Sequence, residues 1–267
     1  MLIDDIRKKE LGIFEIFAMA RGIFRANLNS IIKVCVFIGI PINILLSFVV
    51  ILATNIGKSI NFDVITSDPS KMEQFILSPQ GRKMVVYYII VFMIQSMMIP
   101  LITMAVARIT KNYATEKAAK SSEAMLEAFS KGYVLIGAAL ISEMVIWGGM
   151  IFIIPGLIFM VNLYFYVYAI VLDDKGIFES LSYSTSLVRG YFLKTAIAVV
   201  IIYCLDFSIS FLVINLFPGE EVTMITELML RFITNIIDCY FVVAITIFYI
   251  NRQAVKEGIT GKIEDFM

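Results

Sequence analysis

The sequence predicts an all-α polytopic membrane protein with six transmembrane helices, and three observations carry that reading. Hydrophobic residues make up 60% of the 267 positions and charged residues only 16%, with a mean hydropathy of +0.88. A soluble domain is about 45–50% apolar and about 25% charged, so lipid must solvate most of this chain. The apolar residues fall in six continuous stretches, each near the roughly 20 residues that a bilayer core demands. Lys and Arg gather in alternate connections, as the positive-inside rule requires.

Taken in order, the spans are expected at roughly 30–53, 84–107, 133–153, 155–172, 192–216 and 227–250. Asp4, Asp5, Arg7, Lys8, Lys9 and Glu10 precede any apolar run, so no cleavable signal is expected and the first span stays. The runs are continuous rather than alternating, which argues against a membrane β-barrel. The third and fourth spans meet at Ile154-Pro155-Gly156, read as the tight turn of a helical hairpin. In the longest connection, about 54–83, Asp68-Pro69 is expected to start a short helix through Met72 and Phe75 that ends before Pro79. Six spans put both termini on one side. That side carries sixteen Lys and Arg in its connections, against five on the other. Both termini are therefore expected in the cytoplasm, with the Asn61–Pro79 loop facing outward.

Three segments on the basic side have apolar stripes at helical spacing. Ile13, Phe17, Ala20 and Phe24 mark the first; Met125, Leu126 and Phe129 the second; Phe178, Leu181 and Val188 the third. Such stripes suit helices lying along a membrane interface, expected over 4–27, 114–131 and 176–190. Two end alike, in Lys131-Gly132-Tyr133 and Arg189-Gly190-Tyr191. There Lys131 and Arg189 are expected at the phosphates, and Tyr133 and Tyr191 in the aromatic belt. The chain thus reads as one membrane domain, 1–267, in three repeats of interfacial helix and two spans, at roughly 4–113, 114–173 and 174–252.

The order of these motifs carries a resemblance. Ile154-Pro155-Gly156, the aromatic run from Tyr164 to Asp174, Lys175-Gly176-Ile177-Phe178-Glu179-Ser180-Leu181 and Val188-Arg189-Gly190-Tyr191-Phe192 resemble the YciC-like proteins. They also resemble the membrane domain attached to some glycerophosphodiester phosphodiesterases. The likeness is strongest over 150–195. It implies a multi-pass protein of the bacterial plasma membrane, and it brings no active-site residues with it.

Histidine is absent, which excludes His-based acid–base chemistry and His-ligated metals. Lys+Arg and Asp+Glu stand at 22 each, unlike a nucleic-acid binder. Cys35, Cys204 and Cys239 lie far apart within apolar runs, so neither a zinc site nor a dithiol site is expected. No nucleophile–base pair or phosphate-cradling loop is present, so neither catalysis nor a cofactor is expected.

The remaining chemistry lies mid-span. Asn43, Gln95, Glu143, Asn162, Asp206 and Asp238 each fall near the middle of one span and are expected to share a layer. An aspartate at helix centre costs about 2.5–3.5 kcal/mol, so the three acids should face one another inside the bundle. Lys33 and Arg231 are poor counter-charges; Arg231, seven residues from Asp238, is displaced by about 10 Å along the helix. The acids are therefore expected to hold a proton, to be reached by water, or to bind a cation. Tyr164, Tyr166, Tyr168 and Trp147 read as packing or belt residues. Two functions follow. One is a non-catalytic module that binds membrane lipids or supports a membrane-protein partner. The other is a small proton- or cation-linked transporter or channel using the acidic layer.

Overall fold

A computed structural model describes residues 2–57, 69–117, 120–215 and 224–264. Among these, the regular structure is entirely helical. Helices α1 (Leu2–Arg7) and α2 (Ile13–Val34) come first, and a π-turn at Cys35–Gly39 joins α2 to α3 (Ile40–Gly57). Then follow α4 (Pro69–Leu77), α5 (Pro79–Ala114), α6 (Ser121–Ser130), α7 (Gly132–Met150), α8 (Ile154–Asn162), α9 (Tyr166–Asp173), α10 (Ile177–Val188), α11 (Phe192–Asn215) and α12 (Met224–Glu264).

Six helical stretches are long and apolar enough to cross a bilayer: Ile13–Val49, Pro79–Ala114, Gly132–Met150, Ile154–Asp173, Phe192–Val213 and Leu228–Gly258. This is the make-up of a multi-pass membrane protein. The short helix expected after Asp68-Pro69 is α4. Ser78 then caps α5, its Oγ accepting from Gly81 N at 3.0 Å with Pro79 in the first turn. Residues 61–68 of the expected outward loop lie outside the described residues.

Burial follows helical periodicity. Along α7, Tyr133, Ile136, Leu140, Met144 and Trp147 are exposed, while Leu135, Ala138, Ala139 and Ser142 are buried. On α11, Leu193, Ile197, Val200, Tyr203, Phe207 and Phe211 are exposed at the same three-to-four-residue spacing. Water would penalise such faces; hydrocarbon does not. The core forms around α12, which packs on α2, α3, α5 and α11. Phe17 stacks on Tyr240 at 6.3 Å, and Phe165 meets Phe248 edge to face at 5.5 Å.

Three features depart from the sequence expectation. The first amphipathic segment is not a separate helix: α2 runs through the π-turn into α3 without a break. The hairpin turn lies at 151–153 rather than at Ile154-Pro155-Gly156, because Pro155 sits in the first turn of α8, where its missing N–H costs nothing. Ile153 takes φ +56°, a strained value for a β-branched residue. Gly149 and Gly156 let the two hairpin arms touch: a Cβ on Gly149 would lie 2.9 Å from Gly156 N. Third, the fourth span is broken at Leu163–Phe165 into α8 and α9. Buried Ser184 of α10 bridges the break, donating to Asn162 O at 2.7 Å and accepting from Phe165 N at 3.0 Å. One hydroxyl thereby satisfies two backbone groups that apolar surroundings would leave stranded.

Candidate functional site: an acidic cavity inside the bundle

Six helices and the break line a cavity of about 480 Å³. Glu143 from α7, Asp206 from α11 and Asp238 from α12 all line it. The Asp206 and Asp238 carboxyls interact directly. Among the described residues no donor reaches the buried Oδ1 of Asp206. Two ionised carboxylates offer only acceptors, so a hydrogen bond between them requires one proton.

Glu143 is held differently. It accepts a 2.9 Å hydrogen bond from Trp147 Nε1 one turn along α7. Among the described residues no three acid or thiol groups converge as metal ligands do. The cavity therefore presents an aspartate pair and a third acid bonded to Trp147.

Tyrosines complete the wall: Tyr164, Tyr166, Tyr168 and Tyr203 line the same space. The rings of Tyr164 and Tyr203 meet edge to face at 6.0 Å. The sequence reading treated the first three as packing residues. On an unbroken helix, residues at i, i+2 and i+4 cannot share a face, since Tyr166 would point about 200° away. The break at 163–165 is what brings all three to the cavity, and the alternating spacing Tyr164, Tyr166, Tyr168 was its one visible signal.

The rest of the expected layer divides. Asn43 and Gln95 line a second cavity of about 220 Å³, together with Arg231, Asn235 and Asp238. Asp238 thus forms part of the wall of both cavities. Asn162 lines neither, and its carbonyl takes the Ser184 bond. Beside Asp238, Cys35 and Cys239 approach to 3.5 Å between sulfurs. These thiols are 204 residues apart in sequence, a pairing that spacing rules for local cysteine motifs do not detect.

A second polar cluster, at the charged end of the bundle, was not foreseen. Asp173 accepts from Tyr249 Oη and, at 2.6 Å, from Gln253 Nε2, while Lys111 lies 3.6 Å away. Lys111 also donates to Leu172 O, and Lys131 to Ile170 O and Val171 O, so two ammonium groups cap the C-terminal end of α9. Lys131 further pairs with Asp174 and, at 2.9 Å, with Glu127, which Arg108 also reaches at 2.6 Å. The Lys131 ammonium holds the Asp174 carboxyl below the usual carboxylate range. The four expected anchors therefore separate. Lys131 is engaged by protein groups, Tyr133 and Arg189 are exposed, and Tyr191 stacks under Arg252 at 3.7 Å.

This arrangement defines a helical membrane protein with an acid-lined internal cavity beside a broken span. The chain belongs to the family described as Domain of unknown function (DUF7847), whose model matches residues 85–251. That match covers α6 to α11 whole and most of α5 and α12, so it contains all three acids and the broken span. Comparison with curated proteins and with solved structures finds no match.

Proposed function

We propose that this chain is a small proton-linked membrane transporter whose coupling site is the Asp206–Asp238 pair, with Glu143 as a third acid. The observation that carries this reading is the convergence of the three acids on one 480 Å³ cavity. Intramembrane acids that face a cavity mark proton or substrate pathways far more often than surface acids do. The broken span supports it too, since transporter sites are commonly built where a helix is interrupted. A pair that shares one proton is suited to coupling, because gain or loss of that proton changes the charge of the cavity by one unit.

The finer organisation belongs to the same proposal. Both termini face the cytoplasm of a bacterial cell, α6 and α10 lie along the inner leaflet, and the second and third units are related repeats. The first unit has diverged by fusing its amphipathic segment to its span.

The test uses Trp147, the sole tryptophan, which already touches Glu143. Its emission in the detergent-purified chain is expected to titrate with pH. Asp206→Asn and Asp238→Asn should each displace this response. A pH-independent emission in the wild type, with all variants folded, would overturn the proton-linked reading. It would favour the alternative implied by the resemblance to YciC-like proteins, a module that supports a partner membrane protein.

A further inference from the structure

Away from the acids, a groove of about 210 Å³ lies between the link from α1 to α2, α11 and α12. Its two ends differ in chemistry. Glu10, Lys194, Asn251 and Arg252 form one end; Ile13, Ile16, Ile197, Ile201 and Phe248 are among the residues forming the rest. On α11 the lining residues 194, 197, 198 and 201 fall on one helical face. Ile201 therefore stands about 10 Å along the axis from the Lys194 ammonium-bearing residue. On α12 the same order holds, with Phe248 one turn from Arg252.

Arg252 is the decisive residue. It is 3% exposed, it gives Nη1 to Glu10 at 3.1 Å, and its guanidinium lies 3.7 Å from the Tyr191 ring. Among the described residues no acceptor reaches its Nε, which is buried. A buried, permanently charged donor left unsatisfied is costly. Asn251 does not supply the acceptor: its Oδ1 takes Leu11 N at 3.1 Å, and its Nδ2 serves Ile6 O and Lys9 O. Lys194 reaches the same Glu10 at 3.2 Å. The cluster thus has two cations against one carboxylate, an excess of one positive charge.

We propose that this groove holds one anionic phospholipid, with its phosphodiester on Arg252 Nε and Lys194 and an acyl chain along Ile197, Ile201 and Phe248. A phosphodiester brings one negative charge and free acceptor oxygens, which is what the polar end lacks. The apolar end excludes a purely polar anion as the fitting occupant.

The test adds dioctanoyl phosphatidylglycerol, dioctanoyl phosphatidylcholine or inorganic phosphate to the detergent-purified full chain and follows its melting temperature. Saturable stabilisation is expected with phosphatidylglycerol, a much weaker response with phosphatidylcholine, and none with phosphate. Lys194→Gln and Arg252→Lys each remove a charged hydrogen bond and should weaken phosphatidylglycerol binding about tenfold. Ala198→Phe fills the groove without touching the charges and should weaken it as well. If Arg252→Lys does not fold, the other two variants decide. Equal responses to the two lipids, an equal response to phosphate, or unchanged affinity in both Lys194→Gln and Ala198→Phe would overturn the proposal. None of these outcomes depends on the acidic cavity.

Discussion

At the scale of single residues, matching sequence motifs do not have matching structures. Lys131-Gly132-Tyr133 and Arg189-Gly190-Tyr191 read alike, yet only Gly190 takes a positive φ, +83°. Gly132 is the first residue of α7, and a Cβ there would meet nothing within 4 Å. Gly190→Ala should therefore cost about 1–2 kcal/mol, the steric cost of a left-handed backbone for an L-residue. Gly132→Ala should be neutral or stabilise by less than about 1 kcal/mol, since Ala favours the helix. Thermal unfolding of the two variants checks this, and equal losses would show that both glycines make the same turn. The difference arises because Lys131 is already fixed by Glu127 and Asp174, which aims the chain into α7 without a special backbone angle.

At the scale of elements, the six apolar stretches were legible, because each depends on local composition and on helical rise. Helix continuity was not. Ser184 mends the break at 163–165 from 19 to 22 residues away, and no local pattern announces that contact. The cap on α9 was hidden for the same reason: Lys111, Tyr249 and Gln253 come from 61 to 80 residues away. That cap has a pH signature through Asp174. Its carboxyl is held below the ordinary range by Lys131, so the folded state binds its proton less readily than the unfolded chain. The pair's contribution is then complete above the unfolded value of about 4 and is lost as pH falls through the lower folded value. Asp174→Asn, which tolerates the same left-handed backbone, should remove this contribution at neutral pH and make no difference in strong acid. Because Asp174 is largely exposed, the loss should stay under about 1 kcal/mol. Melting curves of wild type and variant that run parallel across the whole acid range would show that the pair contributes nothing.

At the scale of the whole molecule, direction in the membrane ties the parts together. The proposed orientation, read from the sixteen-to-five bias of Lys and Arg, would put the α9 cap and the Arg252 cluster on the cytoplasmic face. Structure adds a reason for that bias to hold. Lys111, Lys131 and Arg252 are bound to carboxylates or carbonyls of several helices, so inverting the chain would carry a whole bonded layer across the bilayer. In the proposed orientation the same groups would set both direction and fold. The prediction is a labelling pattern in a chain whose Cys35, Cys204 and Cys239 are replaced by Ser. A single Ser67→Cys should react with a membrane-impermeant maleimide added to intact cells, whereas Lys120→Cys should react only after lysis. Lys120 suits the comparison because it is exposed at the start of α6, where it pairs with Glu123 at 3.0 Å. The reverse pattern would place the basic layer outside and, with it, the groove proposed for an anionic lipid. Labelling of both sites in intact cells would mean mixed orientation, and the basic layer would then have no part in setting direction.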